Sequence, residues 1–234
     1  AISIASLKAS ETEICTPKFT ENKCFFSKDI YHPLINNCIP NNLNLINNSM
    51  LLTGSNMSGK TTFIKATLLN IIFTQQFGCG FYNSAYLTPY DHIHSYLNIP
   101  DTSGRDSLFQ AESRRCKEII NVITQHNNEK HFCIFDELYS GTNPEEAVQA
   151  GKAFIKYLNT FKNVDFILTT HYKKICQTFK KSKHIHNCKM VVNVEKTGSF
   201  DYTYKITKGI SDIKGGIQVL KDMDYPDEIL KNIN

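Results

Sequence analysis

The segment Gly54-Ser55-Asn56-Met57-Ser58-Gly59-Lys60-Thr61-Thr62 carries the residue types needed to hold a polyphosphate. It fits G-x-x-x-x-G-K-[ST], the P-loop pattern, in which glycines let backbone N–H groups turn inward around phosphate oxygens. Lys60 is expected to neutralise the β- and γ-phosphates and Thr61 to offer its hydroxyl to Mg2+. A second stretch, "FCIFDEL", runs four apolar residues into Asp136 and Glu137. A carboxylate at a strand tip suits Mg2+, and an adjacent one suits a base that polarises water, so the pair points to hydrolysis rather than phosphoryl transfer to a second substrate. A third, "ILTTHY", delivers His171 to the end of another apolar run, where an imidazole could sense the γ-phosphate or hold the attacking water. No N-K-x-D guanine-reading motif occurs, which favours ATP over GTP.

These groups must be brought together by the elements that carry them. "MLLTG" reads as a strand stopped by Gly54, and the residues from Lys60 to Gly78 repeat apolar side chains at helical spacing. "SLFQAESRRCKEIINVITQHNN" reads as a second, amphipathic helix. "NPEEAVQAGKAFIKYLNTF" reads as a third, with Asn143 as cap, Pro144 at the first helical position and two glutamates in the first turn. "HFCIFDE" and "VDFILTT" are buried strands. Apolar strands alternating with helices predict an α/β fold, a mainly parallel sheet covered on both faces, and "MVVNVEK" with "FDYTYKI" predicts an added antiparallel hairpin. Residues 1–48 read as short strands and loops leading to the phosphate site, 49–210 as the core, and 211–234 as the start of a helical, dimerising segment.

The bulk numbers set the frame. At 234 residues and 41% hydrophobic, the chain can bury one sizeable core. A net charge of +4 from 26 basic and 22 acidic residues is too balanced to announce nucleic-acid binding. Eight cysteines without a C-x-x-C read as reduced thiols of a soluble intracellular protein rather than a disulfide framework. No run approaches a membrane span. The start without Met and the end at "DEILKNIN" read as a piece of something longer.

"TGSNMSGKTT", "DELYSGTNPEEA", "TTHY", "YHPLI" and the late "GISDIKGGIQVLKDMDYPDEIL" together resemble the C-terminal ATPase domain of the MutS DNA mismatch repair family, a branch of the ABC-type ATPases. The resemblance covers nearly the whole chain. It implies two ATPase domains, of identical or paralogous chains, that complete each other's sites, with DNA contacted through other domains of the parent protein. By this resemblance, Ser107 in "DSLFQAE" reaches the partner's γ-phosphate, framed by Phe109 and Glu112, and Asn56 repositions when ATP binds. Ile39 meets adenine through its backbone, and Tyr204 stacks on the base. Ser55 stands where the family commonly has Pro, and Ser58 where it commonly has Gly.

Other readings have less behind them. The L-S-G-G-Q of transporters and chromosome-structuring ATPases is missing, intact Lys60, Asp136 and Glu137 speak against a scaffold with vestigial hydrolysis, and a small-molecule kinase lacks an acceptor-site signature. Cys176, His184, His186 and Cys188 could ligate zinc by residue type but lack the paired short spacings of structural zinc sites. The lysines of 172–183 and "SRRCK" at 113–117 read as solvated helix faces rather than a DNA contact.

Overall fold

Strands that are apolar on both faces must be covered on both, and that requirement shapes this molecule. The structure, a computed structural model, describes residues 14–213 apart from 22–23, 98, 100–106 and 196–198, together with positions 220, 223, 225, 226, 228 and 229. The expected helical segment over 211–234 lies mostly outside the described residues.

The strands, in chain order, are β1 (Lys18–Phe19), β2 (Phe25–Ile30), β3 (Asn41–Asn44), β4 (Ser49–Thr53), β5 (Ser84–Leu87), β6 (His92–Tyr96), β7 (His131–Asp136), β8 (Val164–Thr170), β9 (Ile185–Val194) and β10 (Phe200–Lys208). The helices are α1 (Lys60–Phe77), α2 (Leu108–Gln125), α3 (Pro144–Leu158) and the short α4 (Lys173–Thr178). A six-stranded sheet has the order β10-β9-β4-β8-β7-β6. All its neighbours pair in parallel except β10, which returns antiparallel along β9. This is the mainly parallel sheet with an added hairpin that the apolar runs predict.

Period-two alternation divides each central strand between two cores. Leu51, Cys133, Phe135, Phe166 and Leu168 face a layer built by α2, α3 and α4, through Ile119, Ile123, Ile155 and Ile175. Met50, Leu52, Phe132, Ile134 and Ile167 face the opposite way, onto Phe63, Ile64 and Ile71 of α1. That second layer also holds a feature the sequence reading did not contain, a separate four-stranded sheet of order β1-β5-β2-β3. Its Phe25, Ile30, Leu43, Ala85 and Leu87 join the same core.

The helix termini follow their residues. Asn143 caps α3 by accepting from the Glu146 N–H at 2.9 Å, with Pro144 opening the helix. Ser107 caps α2 in a reciprocal box: its hydroxyl accepts from the Gln110 N–H at 3.3 Å, and the Gln110 side chain accepts from the Ser107 N–H at 2.8 Å. Helix α1 differs, because Gly59 before it offers no side chain and nothing caps its first turn.

At the far end of β6 and β7 lies a group of histidines. His94 and His131 are buried, and His94 Nε2 stands 3.0 Å from His131 Nδ1. Burial pushes His94 down to about 4 and lowers His131 as well, so both are neutral imidazoles at pH 7.

All eight cysteines are free thiols, and Cys79, Cys116, Cys133, Cys176 and Cys188 are buried. Burial pushes the Cys116 and Cys176 thiols up to about 12, Cys188 to about 11, and Cys133 higher still. Raised values mean little thiolate at mild alkaline pH, and the thiolate is the nucleophile. Titration of the native chain with a disulfide reagent at pH 8 is therefore expected to show fast reaction at Cys15 and Cys38 and slower reaction at Cys24, whose thiol is raised by partial burial and by Asp165. The remaining five should react only as the chain unfolds in denaturant; their rapid labelling under native conditions would mean the parallel sheet is not packed as described.

Candidate functional site

The P-loop segment leaves β4 at its carboxyl end and turns into α1, so the uncapped first turn of that helix faces the crevice above the sheet. Helix N-termini carry unsatisfied N–H groups and a positive partial charge, a combination chemically suited to an anion. Gly59 has φ of +97°, and a Cβ there would stand 3.1 Å from the Tyr204 ring, so the turn needs glycine on both counts. Ser58 is buried and donates its hydroxyl to the Ser55 carbonyl at 2.7 Å, closing the loop on itself. The Ser55 Oγ is buried without a hydrogen-bond partner among the described residues.

Lys60 is buried at 5% exposure, and its ammonium makes two hydrogen bonds and one ion pair. It donates to the carbonyls of Gly54 and Ser55, each at 3.1 Å, and sits 3.4 Å from Glu137 Oε1. Beside it, Thr61 donates its hydroxyl to Asp136 Oδ2 at 2.8 Å, while Thr169 donates to Asp136 Oδ1 at 2.5 Å. Strand β8 lies between β4 and β7, which places Thr169 opposite Asp136. Glu137 has φ of +51°, a costly conformation for a residue with a side chain. Its N–H is held by Thr169, at 3.0 Å to the hydroxyl and 3.2 Å to the carbonyl. The left-handed turn directs the Glu137 carboxylate back toward Lys60 instead of along the strand.

Lys60, Thr61, Asp136 and Glu137 line one cleft of about 550 Å3, with Asn56, Met57, Gly59, Thr62 and Tyr204 along its wall. A second cavity of about 300 Å3, mostly apolar, adjoins it across Gly59, Thr62 and Tyr204. Its far wall includes Cys38 and Ile39. Sequence reading missed how Ile39 and Tyr204 come together. Asn41 donates to the Ile39 carbonyl at 3.2 Å and the Tyr204 carbonyl at 2.9 Å, and accepts from the Ile206 N–H at 2.8 Å. The only cue in the sequence was an asparagine ahead of a short apolar alternation.

The remaining expected residues lie at the margin. His171 Nδ1 is 3.9 Å from Glu137 Oε2, but the imidazole is half exposed and faces the groove beside Phe109, Pro144 and Tyr172. Ser107 is exposed at the N-terminus of α2, whose next residue, Leu108, reaches the main cleft. Cys176 and Cys188 are buried while His184 is exposed on the turn before β9, and they form no metal-binding group among the described residues. Arg115 is not a free basic side chain, since it donates to the Ser95 carbonyl at 3.0 and 3.1 Å and pairs with Glu118. Lys173, in the groove shared with Phe109 and His171, pairs with Asp212 at 3.1 Å.

Glu112 has a structural duty that its sequence position concealed. It is 2% exposed and accepts from the Ser140 N–H and hydroxyl, each at 2.9 Å, and the Gly141 N–H at 3.1 Å. Tyr96 also hydrogen-bonds to it, and burial together with this bond raises the Tyr96 phenol so that it stays a neutral donor. Gly141 packs against the start of α2 so closely that a Cβ would lie 2.8 Å from the Phe109 backbone nitrogen. The loop after Glu137 and the cap at Ser107 are thus one unit.

Sheet order, P-loop segment and acidic strand tip define a protein with the P-loop nucleotide-hydrolase type of fold. MutS domain V is the family whose model matches this chain, over residues 50–234, and the chain belongs to that family. It is 28% identical over 224 residues, 92% of its length, to "DNA mismatch repair protein MutS" from Staphylococcus aureus strain JH9, and the relatives from strains Newman and N315 match to the same extent. The chain spans about a quarter of the length of these relatives, 25% in each case. No helix among the described residues is long and apolar enough to cross a membrane.

Replacing Glu112 by Gln turns one acceptor oxygen into an N–H2 donor that faces other donors. The expected cost is about 1–3 kcal/mol in urea unfolding, with faster hydrogen exchange at the Ser140 and Gly141 amides. Unchanged exchange at both amides would show that the carboxylate does not hold this loop.

Proposed function

We propose that this chain binds Mg-ATP in the paired cavities and hydrolyses it, and that two such domains, of the same or of paralogous chains, pair to complete each other's sites. We further propose that this cycle serves a DNA mismatch repair protein that meets DNA through other parts of the parent chain. The observation that carries the reading is the convergence of Lys60, Asp136 and Glu137 on one uncapped helix terminus, with Lys60 Nζ 3.4 Å from Glu137 Oε1.

The donor set suits Mg2+. Thr61 Oγ1 and the Asp136 carboxylate are hard oxygen ligands, and among the described residues no thiol or imidazole lines the cleft. Bound there, Mg2+ would neutralise charge on the β- and γ-phosphates. The chain's own residues do the rest. Lys60, already desolvated, exchanges its Glu137 partner for phosphate oxygens, and the N–H groups of the P-loop and of the first turn of α1 receive the remaining charge. Released from Lys60, the Glu137 carboxylate is free to accept a proton from water beside the terminal phosphate. Tyr204 and the backbone at Ile39 form the walls for the base, and the Ser55 hydroxyl is a buried donor still lacking an acceptor. Asn56, on the cleft wall, turns toward the bound phosphates, and His171 supports Glu137 from the other side. Ser107, on the exposed N-terminus of α2, addresses the nucleotide of the paired domain.

Four substitutions test this in one set of assays. Lys60→Ala should abolish ATP binding. Glu137→Gln should bind ATP normally and turn over about 10²–10⁴-fold more slowly. Tyr204→Ala should raise KM roughly tenfold with little change in kcat. Ser107→Ala should weaken self-association at saturating ATP. Turnover in Glu137→Gln equal to that of the unaltered chain would remove Glu137 from the chemistry and leave nucleotide-dependent pairing as the better account.

A further inference from the structure

The histidines at the opposite end of the sheet have no part in the nucleotide chemistry. Strands β6 and β7 pair so that His92 lies opposite His131, at their amino ends, whereas Asp136 terminates β7 at its carboxyl end. The chain leaves α2 at His126 and turns through Glu129 into β7, which brings that turn against the start of β6. Backbone bonds fix it there: the N–H groups of Asp91 and His92 both donate to the Lys130 carbonyl, at 2.9 and 3.0 Å, and the Lys130 N–H donates to Asp91 Oδ2 at 2.7 Å.

Three side chains converge as a result. His92 Nε2 and His126 Nδ1 both approach the same carboxylate oxygen, Glu129 Oε2, the latter at 3.3 Å. All three ligand atoms lie within 4.8 Å of one another. Two nitrogens at about 2.0–2.1 Å and one oxygen at about 2.0–2.2 Å from a tetrahedral ion stand roughly 3.3 Å apart, which is the spacing His126 and Glu129 already have. The supports behind them are set as well. The His131 ring stacks on His92 with centroids 4.7 Å apart, and its Nε2 lies 3.0 Å from the His126 carbonyl. A carbonyl only accepts, so His131 carries its proton on Nε2 and takes a hydrogen bond at Nδ1 from His94. That buried chain fixes the His126 backbone and the face of His92.

We propose that His92, His126 and Glu129 form a binding site for a borderline divalent cation of the Zn2+ type, with water in the remaining coordination positions. Imidazole and carboxylate in a two-to-one set suit such ions, and the three side chains are partly open to solvent, which gives the ion a path in. The ion would tie the edge strand β6 to the turn that precedes β7, far from the cleft.

Co2+ is the probe, because its visible d–d absorption reports coordination and a strong near-ultraviolet band appears only when thiolate is bound. Titration of the full chain should give one equivalent of bound Co2+ with d–d absorption and no thiolate band, displaced by Zn2+. His126→Ala and Glu129→Gln should each weaken binding about tenfold or more while leaving circular dichroism unchanged. Absence of Co2+ binding, a thiolate band, or undiminished binding in both variants would overturn the assignment.

Discussion

Asp136 accepts from Thr61 at 2.8 Å and from Thr169 at 2.5 Å, so three segments far apart in the chain meet at one carboxylate. Thr61 opens α1, Asp136 ends β7, and Thr169 lies near the end of β8, the strand inserted between β4 and β7. An unpaired carboxylate at the tip of a buried strand would be expensive, and two hydroxyl donors make this one tolerable. The same threonine fixes Glu137 through its hydroxyl and carbonyl, so the strained turn at φ of +51° is held from the neighbouring strand. If Thr169 moved, the acidic pair and the start of α1 would lose their common reference.

Lys60 raises the complementary issue. A desolvated ammonium needs acceptors, and two carbonyls supply dipoles while Glu137 supplies the charge. On the proposed reading, a phosphate arriving at α1 competes with Glu137 for the same cation. Nucleotide can then reset the Glu137 position only by binding Lys60 more favourably than the carboxylate does, which is the differential affinity any such switch requires. The consequence reaches further than the side chain. Glu137 begins the loop that Glu112 holds through Ser140 and Gly141, and that loop presses on α2 beside its Ser107 cap. The site where hydrolysis is proposed and the surface where pairing is proposed are connected by packing with little slack.

What was legible in the sequence follows from where burial is two-sided. "MLLT", "HFCIF" and "VDFILTT" are continuous apolar runs because both faces of β4, β7 and β8 are covered, and α3 announces itself through its cap at Asn143, whereas the capping box at Ser107 was not read from the sequence. The four-stranded sheet was not legible. Its strands are short, as "FFSKDI", "NNLN" and "SAYL", their alternation is diluted by polar residues, and Phe25 pairs with Leu87 across more than a helix of intervening chain. Glu112 and Asn41 act through hydrogen bonds to backbone groups distant in sequence, which no residue spacing encodes. His126 and Glu129 are only three residues apart, but His92 reaches them through strand register, whereas the closely spaced His184, His186 and Cys188 form no such group among the described residues.

The small sheet also changes how the cleft should be understood. The matched MutS domain V region begins at residue 50, yet the wall of the apolar cavity opposite Tyr204 comes from Ile35, Cys38 and Ile39, ahead of that point. Those residues sit on the connection between β2 and β3, whose ends are set by pairing within the four-stranded sheet and by Asn41 bridging to β10. Tyr204 is itself at φ of +54° in the irregular stretch of the β9–β10 pair, between Tyr202 and Ile206, where the register shifts. An aromatic ring displaced from its strand by such an irregularity can lie over Gly59 instead of following the sheet, and only an absent side chain at that glycine leaves it room. The proposed phosphate end of the site is therefore set mainly by the parallel sheet and the start of α1, while the end proposed for a base depends on the added hairpin and the preceding small sheet, which Asn41 locks to each other.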